Sequence, residues 1–164
     1  EMITAAVCNI ESALQNIITE VRALSRRLRP SILDDFGLIP ALEQLFEQYQ
    51  NASEVQLRSQ LVEPSNRYGS KTEVAIYRIV QEAINNAVRH GNSSIIWVHL
   101  AEKSNSTELL IRDNGEGFDL VTKKPGHGLK NMRERTESIG GKYGMSSLKG
   151  KGTQIKVVIP NIYV

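Results

Sequence analysis

The sequence predicts an α/β (α+β) fold: a two-layer sandwich of helices on a mixed, mostly antiparallel sheet, preceded by a long coiled-coil-type helix. Three observations carry this reading. An unbroken heptad of aliphatic residues runs through the first thirty positions. Downstream, helical and strand periodicities interleave as helix, helix, strand, helix, strand, strand, helix, strand, strand. That mixture of helices and short strands fits two packed layers around one core.

Ile3, Val7, Ile10, Leu14, Ile17, Val21, Leu24 and Leu28 alternate in steps of four and three, which predicts one helix over 2–29 with a narrow seam for a helical partner. Leu28-Arg29-Pro30 ends it, because proline disfavours helix in the residue before it. Residues 31–49 predict a second helix, with Asp34 and Asp35 as cap residues and Leu38, Leu42, Leu45, Phe46 and Tyr49 on its apolar face. Val55, Leu57 and Leu61 mark a strand. Residues 71–90 predict a third helix burying Val74, Ile76, Tyr77, Val80, Ala83, Ile84, Ala87 and Val88, capped by Gly91. Residues 94–101 and 107–112 read as an antiparallel pair. A glycine-rich loop over 113–128, a helix over 129–139, and strands near 142–148 and 153–159 complete the chain. The predicted boundaries are 1–30 for the coiled-coil helix, 31–50 for a linker and first domain helix, and 51–164 for the sandwich.

Bulk properties narrow the function. A length of 164 residues with 40% hydrophobic content is enough for a buried core. The net charge of +2 and three phenylalanines, five tyrosines and one tryptophan argue against a nucleic-acid partner. Cys8 stands alone, so no internal disulfide or cysteine zinc site exists and nothing points to secretion. No apolar run approaches a membrane span, so no direct membrane contact is expected. A cytoplasmic location is expected, with any membrane anchor of the full-length protein lying outside these residues.

Four stretches carry chemistry. In QEAINNAVRHG, residues 81–91, Glu82, Asn86 and His90 recur at i, i+4 and i+8 on one helix face. A carboxylate and an amide oxygen one turn apart are hard donors suited to Mg²⁺ that also holds phosphates. The same spacing also fits a solvated polar face. In IRDNGEGFD, Asp113 ends a strand where a carboxylate can accept a hydrogen bond from an exocyclic amine such as that of adenine. Gly115 and Gly117 would let a flat ring approach the backbone, and an ordinary Asp-Asn-Gly turn is the plainer alternative. Gly126-His127-Gly128-Leu129, with Lys123 and Lys124 just upstream, opens a helix whose free N–H groups suit an anion. A flexible loop with a helix cap would look the same. Gly150-x-Gly152-Thr153 opens the last strand, either as a pocket floor or as a hairpin with Thr153 in solvent.

Taken together, QEAINNAVRHG, DNGEGF, GHGLKNMRER and GKGT resemble the N box, the two central glycine boxes and the final glycine box of the GHKL ATPase superfamily, which includes sensor histidine kinases, gyrase, Hsp90 and MutL. GHGLxxMRERxxxxGG and LRPSILDDFGLIPALEQL resemble the two-component sensor kinases that signal to LuxR-type (NarL-like) response regulators. The resemblance implies the Bergerat ATP-binding fold and the cofactors ATP and Mg²⁺. It implies that Asp113 reads the adenine amine, with a water held by Thr153, and that Asn86 ligates Mg²⁺. Glu82 would orient the metal's water or assist proton transfer, and His90 would lie near the phosphates. Gly115 and Gly117 would border adenine, and Gly126, His127, Gly128 and Leu129 would form the lid and phosphate-facing helix.

The family phosphorylates a histidine on its first dimerisation helix. This chain holds only His90, His99 and His127, none of them on the first helix. The first helix therefore resembles the second dimerisation helix, and the chain a fragment that binds Mg·ATP without autophosphorylating. The resemblance further implies a homodimer in the full-length protein and a cognate response regulator as partner. Two other readings share these boxes: a protein-serine kinase of the anti-sigma type, and a degenerate, non-catalytic dimerisation module.

Overall fold

The computed structural model describes residues 31–119 and 126–161. The heptad helix over 2–29, Lys123 and Lys124 lie outside the described residues. Nine elements follow in order: α1 (Ser31–Phe36), α2 (Leu38–Ala52), β1 (Gln56–Leu61), α3 (Ser70–His90), β2 (Ile95–Glu102), β3 (Ser106–Asp113), α4 (His127–Ser138), β4 (Lys142–Ser147) and β5 (Thr153–Pro160). The strands form one sheet in the order β1-β2-β3-β5-β4. β1 runs parallel to β2, and every other pairing is antiparallel. The mixed, mostly antiparallel sheet and its layer of helices match the expected fold class.

One face of the sheet meets the helices. Ile96, Val98 and Leu100 of β2, Leu109 and Ile111 of β3 and Val157 and Ile159 of β5 are buried there. They alternate with more exposed neighbours, as a pleated strand with one covered face requires. Helix α3 lays Ile76, Ile79, Val80 and Ile84 into the same cluster, α2 adds Leu42 and Leu45, and α4 adds Met132. Val74 and Val88, expected in the core, are half-buried at its margin.

The predicted helix over 31–49 is two helices. Gly37 has φ 83°, a left-handed conformation that breaks the helix and re-aims the chain. Asp34 and Asp35 therefore lie inside the short α1 instead of capping α2. A clamp holds this corner. Arg67 donates to both carboxylate oxygens of the buried Glu73, at 3.0 and 3.2 Å, and to the carbonyls of Leu33 and Asp34. At the other end of α3, Gly91 N–H closes the helix on the Asn86 and Ala87 carbonyls. The left-handed residue there is Asn92, at φ 47°.

Candidate functional site

Helix α3, the end of β3, the start of α4 and the start of β5 enclose a cavity of about 360 Å³. That volume is in the range of small-molecule pockets. Glu82, Asn86 and His90 line one wall, one helical turn apart, beside the small Ala83 and Ala87. Asp113 and Thr153 stand at the floor, with Ile155 and Leu129 supplying apolar surface. Gly126, His127 and Gly128 form the rim.

Asp113 is the most constrained of these groups and is buried. Its Oδ1 accepts the Ser93 hydroxyl at 3.0 Å and the Gly115 N–H at 2.8 Å. Oδ2 accepts nothing among the described residues and is left for the cavity. Gly115 itself stands behind Asp113: a side chain there would run into the Gly91 carbonyl and the Ser93 hydroxyl. Asn114 reinforces the same corner. Its side chain accepts the Ser94 and Ile95 N–H groups at 3.0 and 2.9 Å, extending the edge of β2.

The β4–β5 turn closes the floor. Gly152, at φ 77°, packs directly on the Asp113 backbone carbonyl. Gly117, at φ 57°, packs on the carbonyls of Leu148 and Gly152. Gly150 N–H donates to the Glu116 carbonyl at 2.6 Å, and Phe118 N–H to Ser147 Oγ at 2.9 Å. Ser147 Oγ and Thr153 Oγ1 share a hydrogen bond of 2.9 Å, so Thr153 is oriented by its neighbour across the turn.

The opposite end is looser. Gly126 and His127 are exposed, and Glu82 and Asn86 are half-exposed. His90 is exposed too, but directly precedes Gly91, whose carbonyl accepts the Glu116 N–H, and so lies toward the Asp113 end. Helix α4 begins at His127 after the N-cap Gly126, and among the described residues no side chain caps it, so its first N–H groups face the rim without a partner of that kind. Gly128 rests against the Glu82 carboxylate and approaches Asn86, so this glycine lets α4 lie over the polar wall of α3. Behind that wall, Tyr49 of α2 donates to Asn85 Oδ1 at 2.7 Å, which turns Asn85 away from the cavity. Burial pushes the Tyr49 hydroxyl up to about 12, keeping it a neutral donor.

Glu82 and Asn86 place a carboxylate and an amide oxygen on the same wall. Among the described residues no three His, Cys, Asp or Glu side chains gather into a cage. Two hard oxygen donors facing an open cavity suit a small dication that phosphates and water otherwise hold.

Of the residues singled out in the sequence, Glu82, Asn86, His90, Asp113, Gly117, Gly126, His127, Gly128, Leu129 and Thr153 come together at this cavity. Gly115 lies behind it. Sequence reasoning missed Ser93, Ser147 and the contact of Gly152 with Asp113. Ser93 carried one signal: it lies just past the capping Gly91, in the short connection between α3 and β2.

Comparison with known proteins gives the following. The family described as Histidine kinase-, DNA gyrase B-, and HSP90-like ATPase matches residues 71–162. The signal transduction histidine-protein kinase/phosphatase DegS of Brevibacillus brevis is 31% identical over 93% of this chain and 40% of its own length. The sensor histidine kinase LiaS of Bacillus subtilis (strain 168) is 36% identical over 86% of this chain and 39% of its own. The chain thus spans about two fifths of these curated relatives. The blue-light activated histidine kinase EL346 of Erythrobacter litoralis superposes with a TM-score of 0.65 at 18% identity, covering 75% of this chain and 41% of that one. At that identity the likeness speaks to the fold.

Proposed function

The chain belongs to the histidine kinase-, DNA gyrase B- and HSP90-like ATPase family, and from that premise we propose that it is the ATP-binding catalytic region of a two-component sensor histidine kinase. On this reading it binds Mg·ATP and donates the γ-phosphate to a histidine other than His90, His99 and His127, for relay to the aspartate of a LuxR/NarL-type response regulator.

The observation that carries the reading is the division of labour on Asp113. Oδ1 is saturated by Ser93 and Gly115, so Oδ2 is fixed toward the cavity as an acceptor for the adenine exocyclic amine. Thr153, oriented by Ser147, stands beside it to hold a bridging water. Ala83 and Ala87 leave room along α3 for a flat ring, with Ile155 supplying apolar surface and Leu129 more of it from α4. The triphosphate then extends toward Asn86, Glu82 and the uncapped start of α4. There the backbone N–H groups and helix dipole favour negative charge. Asn86 Oδ1 would hold Mg²⁺, with the Glu82 carboxylate reaching it through water; when bound, the ion supplies charge neutralisation across the phosphates. Glu82 positions water at that end or accepts a proton. His127 flanks the exposed γ-phosphate end, and this open rim is where an acceptor imidazole arrives, while His90, next to Gly91, stands nearer the Asp113 end than the sequence reading implied. Positioning and electrostatics supply the catalysis, with no covalent role for the domain.

Calorimetry tests this. The chain is expected to bind ATP saturably, less tightly when Mg²⁺ is chelated. Asp113→Asn is the decisive variant. Ser93 and Gly115 both donate, so they hold the amide oxygen at the Oδ1 position and turn the Asn NH₂ toward the adenine amine, donor against donor. Loss of a charge-assisted bond with an opposed donor in its place predicts roughly a 100-fold weakening. Unchanged affinity in the variant, or no binding by the folded chain, would sink the proposal.

A further inference from the structure

The sheet has a second face, turned away from the helices, and among the described residues no element covers it. Strand register sets out its side chains in rows. Arg58 of β1, Trp97 of β2 and Arg112 of β3 share one row, continued by Gln154 of β5. Neighbouring strands lie about 4.8 Å apart, so the two arginine stems flank Trp97 at roughly 10 Å from each other. The Arg112 guanidinium lies over the Trp97 ring, 5.9 Å from its centroid. Arg58 is exposed and donates to Gln56 Oε1 at 3.0 Å.

The charges on this face do not balance. The next row holds Gln60, His99, Leu110 and Lys156, and the one after it Ala101, Glu108 and Val158. Glu108 is the one carboxylate in these three rows, and Lys156 already holds it at 2.7 Å. Arg58 and Arg112 have no acidic partner among the described residues. Two arginine stems on either side of a half-buried indole, one guanidinium laid over the ring, form a cationic and partly apolar surface. Arg and Trp are the residue types that dominate protein–protein hot spots.

We propose that the Arg58–Trp97–Arg112 row is a docking surface for a carboxylate-rich segment of another protein. Charge complementarity selects this occupant. Each guanidinium offers a bidentate fork to a carboxylate, and the indole packs the apolar stem of a glutamate between them. A single-stranded nucleic acid needs successive aromatic platforms, and this face has one. A lipid surface needs protruding apolar side chains, and the exposed large apolar residues Phe36, Val62 and Leu148 are not among those in these rows.

Trp97 is the only tryptophan, so tryptophan-selective emission of the full chain, excited beyond the tyrosine band, reports this face alone. Oligoglutamate is expected to change that emission saturably, with oligoglutamine silent. The double variant Arg58→Gln/Arg112→Gln should raise the half-saturating concentration about tenfold, while Arg58→Lys/Arg112→Lys keeps the charge and most of the binding. Both arginines are exposed, so thermal melts should match the parent, and Arg58→Gln alone serves if the double variant does not fold. ATP affinity should be unchanged in every variant. A silent fluorescence titration, an equal response to oligoglutamine, or undiminished binding in the Gln variants would overturn the proposal. So would tighter binding of oligothymidylate or of phosphatidylglycerol vesicles, which would reassign the face to nucleic acid or to lipid.

Discussion

The two ends of the cavity are built on different principles. At the Asp113 end, strands and turns fix the carboxylate: Ser93 and Gly115 hold one oxygen, and Gly152 abuts the backbone carbonyl. At the Glu82 end, two helices face each other across half-exposed side chains, and an uncapped helix start waits on the rim. The first end is complete before any ligand arrives. The second has oxygen donors and N–H groups whose partners a ligand would supply. On the proposed reading, rigid recognition at one end and assembly on binding at the other would suit a flat base and a mobile, charged tail.

Two glycine substitutions offer the sharpest way to break this contrast. In Gly152→Ala the new methyl enters the Asp113 carbonyl, a backbone atom that cannot yield, at a residue held at φ 77°. The expected cost is about 2–3 kcal/mol of stability, together with loss of measurable ATP binding. In Gly128→Ala the methyl meets the far end of the Glu82 side chain, which can swing aside. The melting temperature should stay close to the parent, and ATP affinity should fall only several-fold. Thermal melts and calorimetry on the pair check this, and equal damage from the two would show that both ends are equally rigid.

A nucleoside separates the ends chemically. Asp113→Asn should weaken adenosine and ATP by similar factors, since only the base end is altered. Asn86→Ala should leave adenosine alone and weaken ATP roughly tenfold, the scale of one hydrogen-bonding or ligand contact to a charged group, and only when Mg²⁺ is present. If Asn86→Ala weakened adenosine as much as ATP, the separation of roles would fail.

The same contrast explains what the sequence made legible. Glu82, Asn86 and His90 could be placed together because helical periodicity alone puts i, i+4 and i+8 on one face. Asp113 could be placed because alternation along β3 locates the strand end. What holds Asp113 could not, because it depends on tertiary register. Ser93 reaches it from the α3–β2 connection, and Gly152 from a turn between the last two strands, 39 positions further on. Gly115 illustrates the limit. Its freedom was legible, but which neighbour required it was not, and the structure turns it toward Gly91 and Ser93. The break at Gly37 was hidden for another reason. The apolar stripe continues through the glycine, and Asp34 and Asp35 mimic a cap, so only the left-handed φ shows two helices.

The smallest expected effect lies outside the cavity and tests whether its stiff end is locally built. Lys156 donates to Glu108 across β5 and β3 on the open face of the sheet. That hydrogen bond holds the Glu108 carboxyl below its usual range, against a smaller opposing effect of burial. A depressed carboxylate contributes stability above its unfolded pKa and loses it as pH falls through the folded value. Lys156→Gln should therefore cost at most about 1 kcal/mol at neutral pH, because both side chains are substantially solvated. The gap between parent and variant should close as the pH drops below the ordinary glutamate range. Denaturant melts of both proteins from neutral to acid pH measure it. ATP affinity should not change, since Asp113 is fixed by Ser93, Gly115 and Gly152, none of which contacts this pair. A nucleotide effect from Lys156→Gln would mean that the base end borrows its rigidity from the sheet as a whole, and the contrast between the two ends would then be one of degree.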